Sequence, residues 1–201
     1  MEKKIDRRIS YKIMLDVETC PLDKDFEGVD PNNMWVYDVG YAIVDKRGKV
    51  YRERSFINAD IFLNEKLLMN SSYYANKIPQ YWEDIKSGKR VLTSFYNIRK
   101  TLLEDIAEFE VEEIYAYNMR FDYLSLNNTE RWLTKSQYRY FLTKDLVICD
   151  IMKMARDVIA PMPTYKRFCE EHGYMTKNNR VQLKAETVYK FITKDLDFIE
   201  S

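Results

Sequence analysis

Tyr11-Lys12-Ile13-Met14-Leu15-Asp16-Val17-Glu18 is a short, largely apolar run of strand-forming residues that closes on two carboxylates and is ended by Thr19-Cys20-Pro21. Its length, composition and terminating proline predict a central strand with acids at its C-terminal end. Side chains alternate across a strand, so Asp16 and Glu18 share one face, about 7 Å apart. Whatever fold the chain adopts must bury the apolar positions of this strand and tolerate two negative charges at its tip.

The pattern downstream fixes the fold class. Trp35 to Val44 reads as a second strand, Asp45-Lys46-Arg47-Gly48 as a tight turn, and Lys49 to Phe56 as a returning third strand. Residues 22 to 33, with Gly28, Pro31, Asn32 and Asn33, read as a loop. A helical region is expected from about Asn64 to Lys86, broken near Pro79. Thr93 to Phe109 carries Phe95, Ile98, Leu102, Leu103, Ile106 and Phe109 on one helical face, with Thr93 as N-cap.

A fourth strand covers Glu113 to Asn118, followed by a helix from Arg120 to about Leu133 that is interrupted near Asn127-Asn128. Leu146 to Cys149 is the fifth strand, and Asp150 caps the helix after it. Pro161 and Pro163 stop that helix. Further helices run from Thr164 to His172 and from Ala185 to Phe191, with a short extended piece near Val181. Three antiparallel strands followed by alternating helices and strands predict an α/β fold, a mixed five-stranded sheet flanked by helices. The 201 residues suit a single domain, 1–201.

Composition narrows the function classes. The 32 basic and 32 acidic residues cancel, which argues against a protein that holds long duplexes by charge alone. It leaves room for a nuclease that grips one strand end, because bound divalent ions supply local positive charge. Cys20, Cys149 and Cys169 are far apart and odd in number, so reduced thiols are expected. No apolar stretch approaches membrane-spanning length and no apolar core follows the N-terminal charges, so a soluble, cytoplasmic protein is expected.

Asn118 and Asp122 stand four apart where the fourth strand passes into a helix; if the helix begins at Asn118, both share a face. Adjacent parallel strands would bring this pair beside Asp16 and Glu18. Three carboxylates at close quarters repel one another unless a cation sits between them. Hard oxygen ligands without His or Cys favour Mg²⁺ or Mn²⁺ over zinc. An Asp-x-Glu triplet alone is weak evidence, and a second occurs at Asp25-Phe26-Glu27. The strand-end setting and the later polar pair are what raise the first above chance.

These segments resemble the DEDD (proofreading-type) 3′→5′ exonucleases, whose fold is RNase H-like. Ile13 to Thr19 is similar to their first motif, Val39-Gly40-Tyr41-Ala42-Ile43-Val44-Asp45 to their second strand, and Tyr117-Asn118-Met119-Arg120-Phe121-Asp122 to their Asn-x-x-Phe-Asp motif. Asp150, opening a helix after a strand, fits the same layout, so the likeness covers residues 11 to about 160. Within that family the chain looks most like the small exonuclease-like proteins encoded by bacteriophages and prophages. The resemblance implies Asp16, Glu18 and Asp122 as catalytic metal ligands for two Mg²⁺ or Mn²⁺ ions. It implies Thr19 and Asn118 as substrate-binding residues, and 3′ ends of single-stranded DNA or RNA as the partner. Phe121, beside the ligand, reads as core.

The resemblance also calls for a third motif, His-x-x-x-x-Asp or Tyr-x-x-x-Asp, on a last helix. His172 is followed five residues on by Lys177, and Tyr189 four residues on by Thr193. Three readings stand: a chain lacking the family's C-terminal helix, a non-catalytic member, or an enzyme that supplies its fourth carboxylate from elsewhere. His172, before Gly173, reads as a helix C-cap. The functional expectation is phosphodiester hydrolysis at 3′ ends by a two-metal mechanism, impaired if the third motif is lost. The alternative is an inactive exonuclease-like protein that binds nucleic acid or a host factor. A homodimer is a further expectation, on the frequency of such assemblies.

Overall fold

The computed structural model describes residues 5–21, 30–63 and 75–199. The Asp25-Phe26-Glu27 triplet lies outside them, as do parts of the expected loop over 22–33 and helical stretch over 64–86. Two compact units are formed: residues 1–116 with 120–149, and residues 117–119 with 150–201.

The first unit is built on a six-stranded mixed sheet. Its strands are β1 (Tyr11–Pro21), β2 (Met34–Asp45), β3 (Val50–Asn58), β4 (Val91–Thr93), β5 (Glu113–Ala116) and β6 (Val147–Asp150), in the order β4-β3-β2-β1-β5-β6. β1, β2 and β3 form the expected antiparallel meander, and β5 joins β1 in parallel. The sheet has one strand more than the five expected. β4, only three residues long, adds in parallel to β3 and is too short to carry a period.

Alternation sorts the two faces of the meander. Ile13, Leu15 and Val17 on β1 and Val39, Tyr41 and Ile43 on β2 are buried, while Asp16 is exposed and Glu18 half-buried. The helix α3 (Phe95–Phe109) buries Phe95, Ile98, Leu102 and Phe109, following α1 (Ala59–Phe62) and α2 (Ile78–Ser87) in the chain. Truncating one such apolar side chain typically costs about 2–5 kcal/mol.

Asp105 stands on the same helical stripe. Its carboxylate accepts from Tyr41 Oη at 2.8 Å, Arg52 Nη1 at 2.5 Å and Arg54 Nε at 3.1 Å, which fixes α3 to the sheet. The N-cap of α3 is Ser94, whose hydroxyl accepts from Asn97 N at 3.3 Å. Thr93, expected in that role, is the last residue of β4. Pro79 lies in the first turn of α2, where its missing N–H is tolerated, so it opens this helix and does not break it.

α4 (Met119–Thr134) runs without the interruption expected at Asn127-Asn128. The polar side chains that suggested a break are spent on tertiary bonds. Asn127 Oδ1 accepts from Phe141 N at 2.9 Å, Asn128 Nδ2 donates to Met34 O at 2.9 Å, and Thr129 Oγ1 accepts from Val36 N at 2.9 Å. A second core gathers Cys20, Trp35, Tyr37, Ile57, Ile61, Phe62 and Tyr81, with Trp132 of α4 against Trp35 at 4.2 Å between rings. Burial pushes the Cys20 thiol up to about 12, the mark of an inert core cysteine.

The second unit is helical: α5 (Ile151–Val158), α6 (Pro163–Glu171) and α7 (Ala185–Thr193). Asp150 caps α5 as expected, accepting from Lys153 N at 3.1 Å. His172 is the C-cap of α6, before Gly173 at φ 74°. Ala155, Tyr165, Cys169 and Val188 form the core. Tyr165 and Tyr117 donate to the carbonyls of Gln182 and Leu183 at 2.6 and 2.7 Å. The extended piece near Val181 is a single bridge to Met175. Among the described residues, no helix is long and apolar enough to cross a membrane.

Candidate active site

β1 and β5 are parallel neighbours, so their C-terminal ends lie at the same end of the sheet. Their ladder runs only from Lys12 opposite Glu113 to Met14 opposite Tyr115. Asp16 and Glu18 therefore lie on the part of β1 that extends beyond it. Asp122 stands in the first turn of α4, the helix that follows β5, where the helix dipole favours a carboxylate. The topology thus brings all three predicted carboxylates to one end of the first unit's sheet.

Their immediate surroundings differ. Asp122 is buried, at 4% exposure, while Asp16 is open to solvent. Gly40 pairs with Asp16 across the β1–β2 ladder, so no side chain of that partner stands over the carboxylate. Glu18 pairs with Asp38, which puts two acids directly opposite each other, a destabilising arrangement without a cation.

Asp38 is 5% exposed. Burial pushes its pKa up to about 6; Arg90 and Tyr81 pull against that shift, and the charge of Asp16 adds to it. Arg90 is ion-paired with Asp38, bonds Asp84 at 3.3 Å, and lies 4.8 Å over the ring of Tyr81. Tyr81 is in turn pushed up to about 12 by burial, with the charges of Asp38 and Glu18 contributing. The acidic face is thus broader than the motifs suggested. Asp38 was legible as the only charge in Met34 to Val44, on the strand face shared with Glu18. Arg90 had no such signal, because its partner lies 52 residues away.

Thr19 is half-buried and sits just past a bulge. Glu18 pairs with Asp38 but Thr19 with Val36, leaving Tyr37 as the extra residue on β2. Asn118 is not the first residue of the helix. It adopts a left-handed conformation, φ 64°, in the turn before α4, which asparagine accommodates better than most residues. The expected four-residue helical relation with Asp122 therefore does not apply.

All the donors in the set are carboxylate oxygens, and this chemistry suits a hard divalent cation. Among the described residues, however, no three His, Cys, Asp or Glu side chains are grouped so as to hold a metal ion. Asp16 and Glu18 share a face with Asp38 beside them; Asp122 is not gathered with them into a three-ligand set.

No family model matches the chain, and no curated protein matches it in sequence. Solved structures do match in fold. Product-bound exonuclease I aligns with a TM-score of 0.59 at 14% identity, over 96% of this chain and 40% of its own. Exonuclease I with SSB and the inhibitor CFAM aligns at 0.57 and 14%, over 96% and 38%. E. coli exonuclease I in complex with a 5cy-dT13 oligonucleotide aligns at 0.54 and 12%, over 92% and 36%. The chain spans about two fifths of the length of these proteins. The likeness establishes that the chain shares the fold of these structures, a mixed sheet flanked by helices.

Proposed function

We propose that the chain is a divalent-metal-dependent 3′→5′ exonuclease acting on single-stranded nucleic acid, with Asp16, Glu18 and Asp122 as its metal-binding carboxylates. One observation carries this reading. Asp16 and Glu18 share the acidic face of β1 beyond its ladder with β5, at the sheet end where Asp122 stands in the first turn of α4. A pile of acids at the C-terminal end of parallel strands is costly for a scaffold and useful for holding cations. The chemistry supplied there by Mg²⁺ or Mn²⁺ is activation of water and stabilisation of charge on the phosphate. Thr19, at the bulge beside Glu18, is the residue assigned to the terminal nucleotide. Single-stranded DNA is the preferred substrate class, since a fold relative is described with an oligo-dT strand.

The test is digestion of 5′-labelled single-stranded DNA and RNA with Mn²⁺, by wild type and Asp16→Ala. A ladder shortening from the 3′ end, absent in the mutant, is expected. Equal digestion by both proteins would remove Asp16 from the site. Among the described residues no three carboxylates are grouped to hold a metal ion, which favours a second reading: a strand-binding protein without turnover. It predicts retained affinity for single strands and no ladder from either protein.

A further inference from the structure

The connection between α4 and β6 carries a second feature, separate from the carboxylates. Residues 131 to 144 contain Arg131, Lys135, Arg139 and Lys144 and no acid, in a chain whose charges cancel overall. Aromatic residues are interleaved with them. Tyr138 is 89% exposed and Tyr140 40% exposed.

This segment is firmly anchored. Phe141 is fully buried, 4.8 Å from the ring of Phe95. Its N–H donates to Asn127 Oδ1 and its carbonyl accepts from Arg99 Nε, both at 2.9 Å. Arg131 lies 4.9 Å over one face of the Tyr140 ring and donates from Nε to the carbonyl of Arg139 at 3.3 Å. The exposed rings are thus presented on a fixed backbone, and an arginine backs one of them.

Tyr140 lines a cavity of about 310 Å³ in the first unit, together with Tyr123, Leu142, Thr143, Lys144, Leu146 and Ile148. Two aromatic rings and three aliphatic walls suit a flat apolar group, and the lysine at this mouth suits an adjoining anion. Sequence-tolerant recognition of single strands has this chemistry, with bases on aromatic rings and backbone phosphates on cations. Tyr123 directly follows Asp122, so the cavity begins one residue from a candidate site carboxylate.

We propose that this cavity is a subsite for one base of single-stranded DNA, with Tyr140 and Tyr123 as its aromatic walls and Lys144 at the neighbouring phosphate. The assignment rests on the single-strand reading above but not on turnover.

The experiment measures binding of fluorescein-labelled oligo-dT by anisotropy in EDTA, where no hydrolysis intervenes. Tyr140→Ala is expected to weaken binding about tenfold. Lys144→Ala is expected to lower the slope of log K against log salt by about 0.7, one phosphate contact on a single strand. Tyr140→Leu, which keeps an apolar wall without the aromatic ring, should lose affinity like the alanine variant while melting like wild type. An oligonucleotide carrying 5-iododeoxyuridine should cross-link to the peptide containing Tyr138 and Tyr140. If wild type binds oligo-dT and the Tyr140 and Lys144 variants bind it equally well, the subsite is wrong while the strand reading stands. If wild type binds no strand, both readings fall. If poly-glutamate binds as tightly and with the same dependence on Tyr140, the cavity reads acidic peptides and the proposal is overturned. Tyr140-dependent binding with no digestion in Mn²⁺ would uphold the subsite and remove the exonuclease.

Discussion

Asp105 and Asp38 are the same residue type, almost equally buried, on opposite faces of one sheet, and they are perturbed in opposite directions. Burial acts to raise both. At Asp105, bonds from Arg54, Tyr41 and Arg52 together outweigh burial and hold the carboxyl below its ordinary value. At Asp38, Arg90 and Tyr81 pull the other way but do not overcome burial, and nearby Asp16 raises the carboxyl further. Opposing cations and hydroxyls make one face a scaffold. On the other, acids are concentrated at a strand end, the arrangement that a divalent cation relieves.

The largest expected effect tests the scaffold side. Asp105→Ala leaves Arg52 and Arg54 facing a partly buried gap and should cost about 3–5 kcal/mol in urea unfolding. A loss under about 1 kcal/mol would mean the cluster is not what fixes α3. On the acidic side, Mg²⁺ at a hundred times its dissociation constant should stabilise wild type by about 2.7 kcal/mol. Asp16→Asn should abolish that gain, and equal stabilisation of both proteins would take Asp16 out of the metal site.

The pH dependence of stability should separate the faces next, measured in EDTA as wild type minus variant. The folded pKa of Asp105 is lowered, so its contribution is fully present above the ordinary value of 3.8 and is lost as pH falls through the folded one. Asp105→Asn should remove that acid loss. The folded pKa of Asp38 is raised, so its penalty is absent below 3.8 and grows until pH passes about 6. Asp38→Asn should remove a decline in stability between those values, and identical profiles would dissolve the contrast. The smallest effect is at Glu108, which also pairs with Arg52 but is largely exposed. Glu108→Gln should cost no more than about 1 kcal/mol. A larger loss would shift the anchoring role from Asp105 to the rim.

The sequence made the meander legible because a period of two, a turn at Asp45 to Gly48 and an apolar run are local signals. Asp16 and Glu18 were placed on one face by the same rule. Features set by distant partners were not legible. Asn127 and Asn128 looked like a helix break because their partners, the N–H of Phe141 and the carbonyl of Met34, are far away in sequence. Arg90 was invisible for the same reason. Asn118 was misread because a left-handed residue leaves no periodic trace, even where its neighbours do.

The division of the chain has one more consequence, for proteolysis. Tyr117, Asn118 and Met119 belong to the second unit although they lie in sequence between β5 and α4 of the first. A protease nick between Cys149 and Asp150 would split the polypeptide without cleanly separating the units. The N-terminal fragment would carry Tyr117, whose hydroxyl bonds Leu183 in the C-terminal fragment. Such a nicked protein should stay associated on gel filtration, and the 150–201 fragment made alone should lack three residues of its own unit.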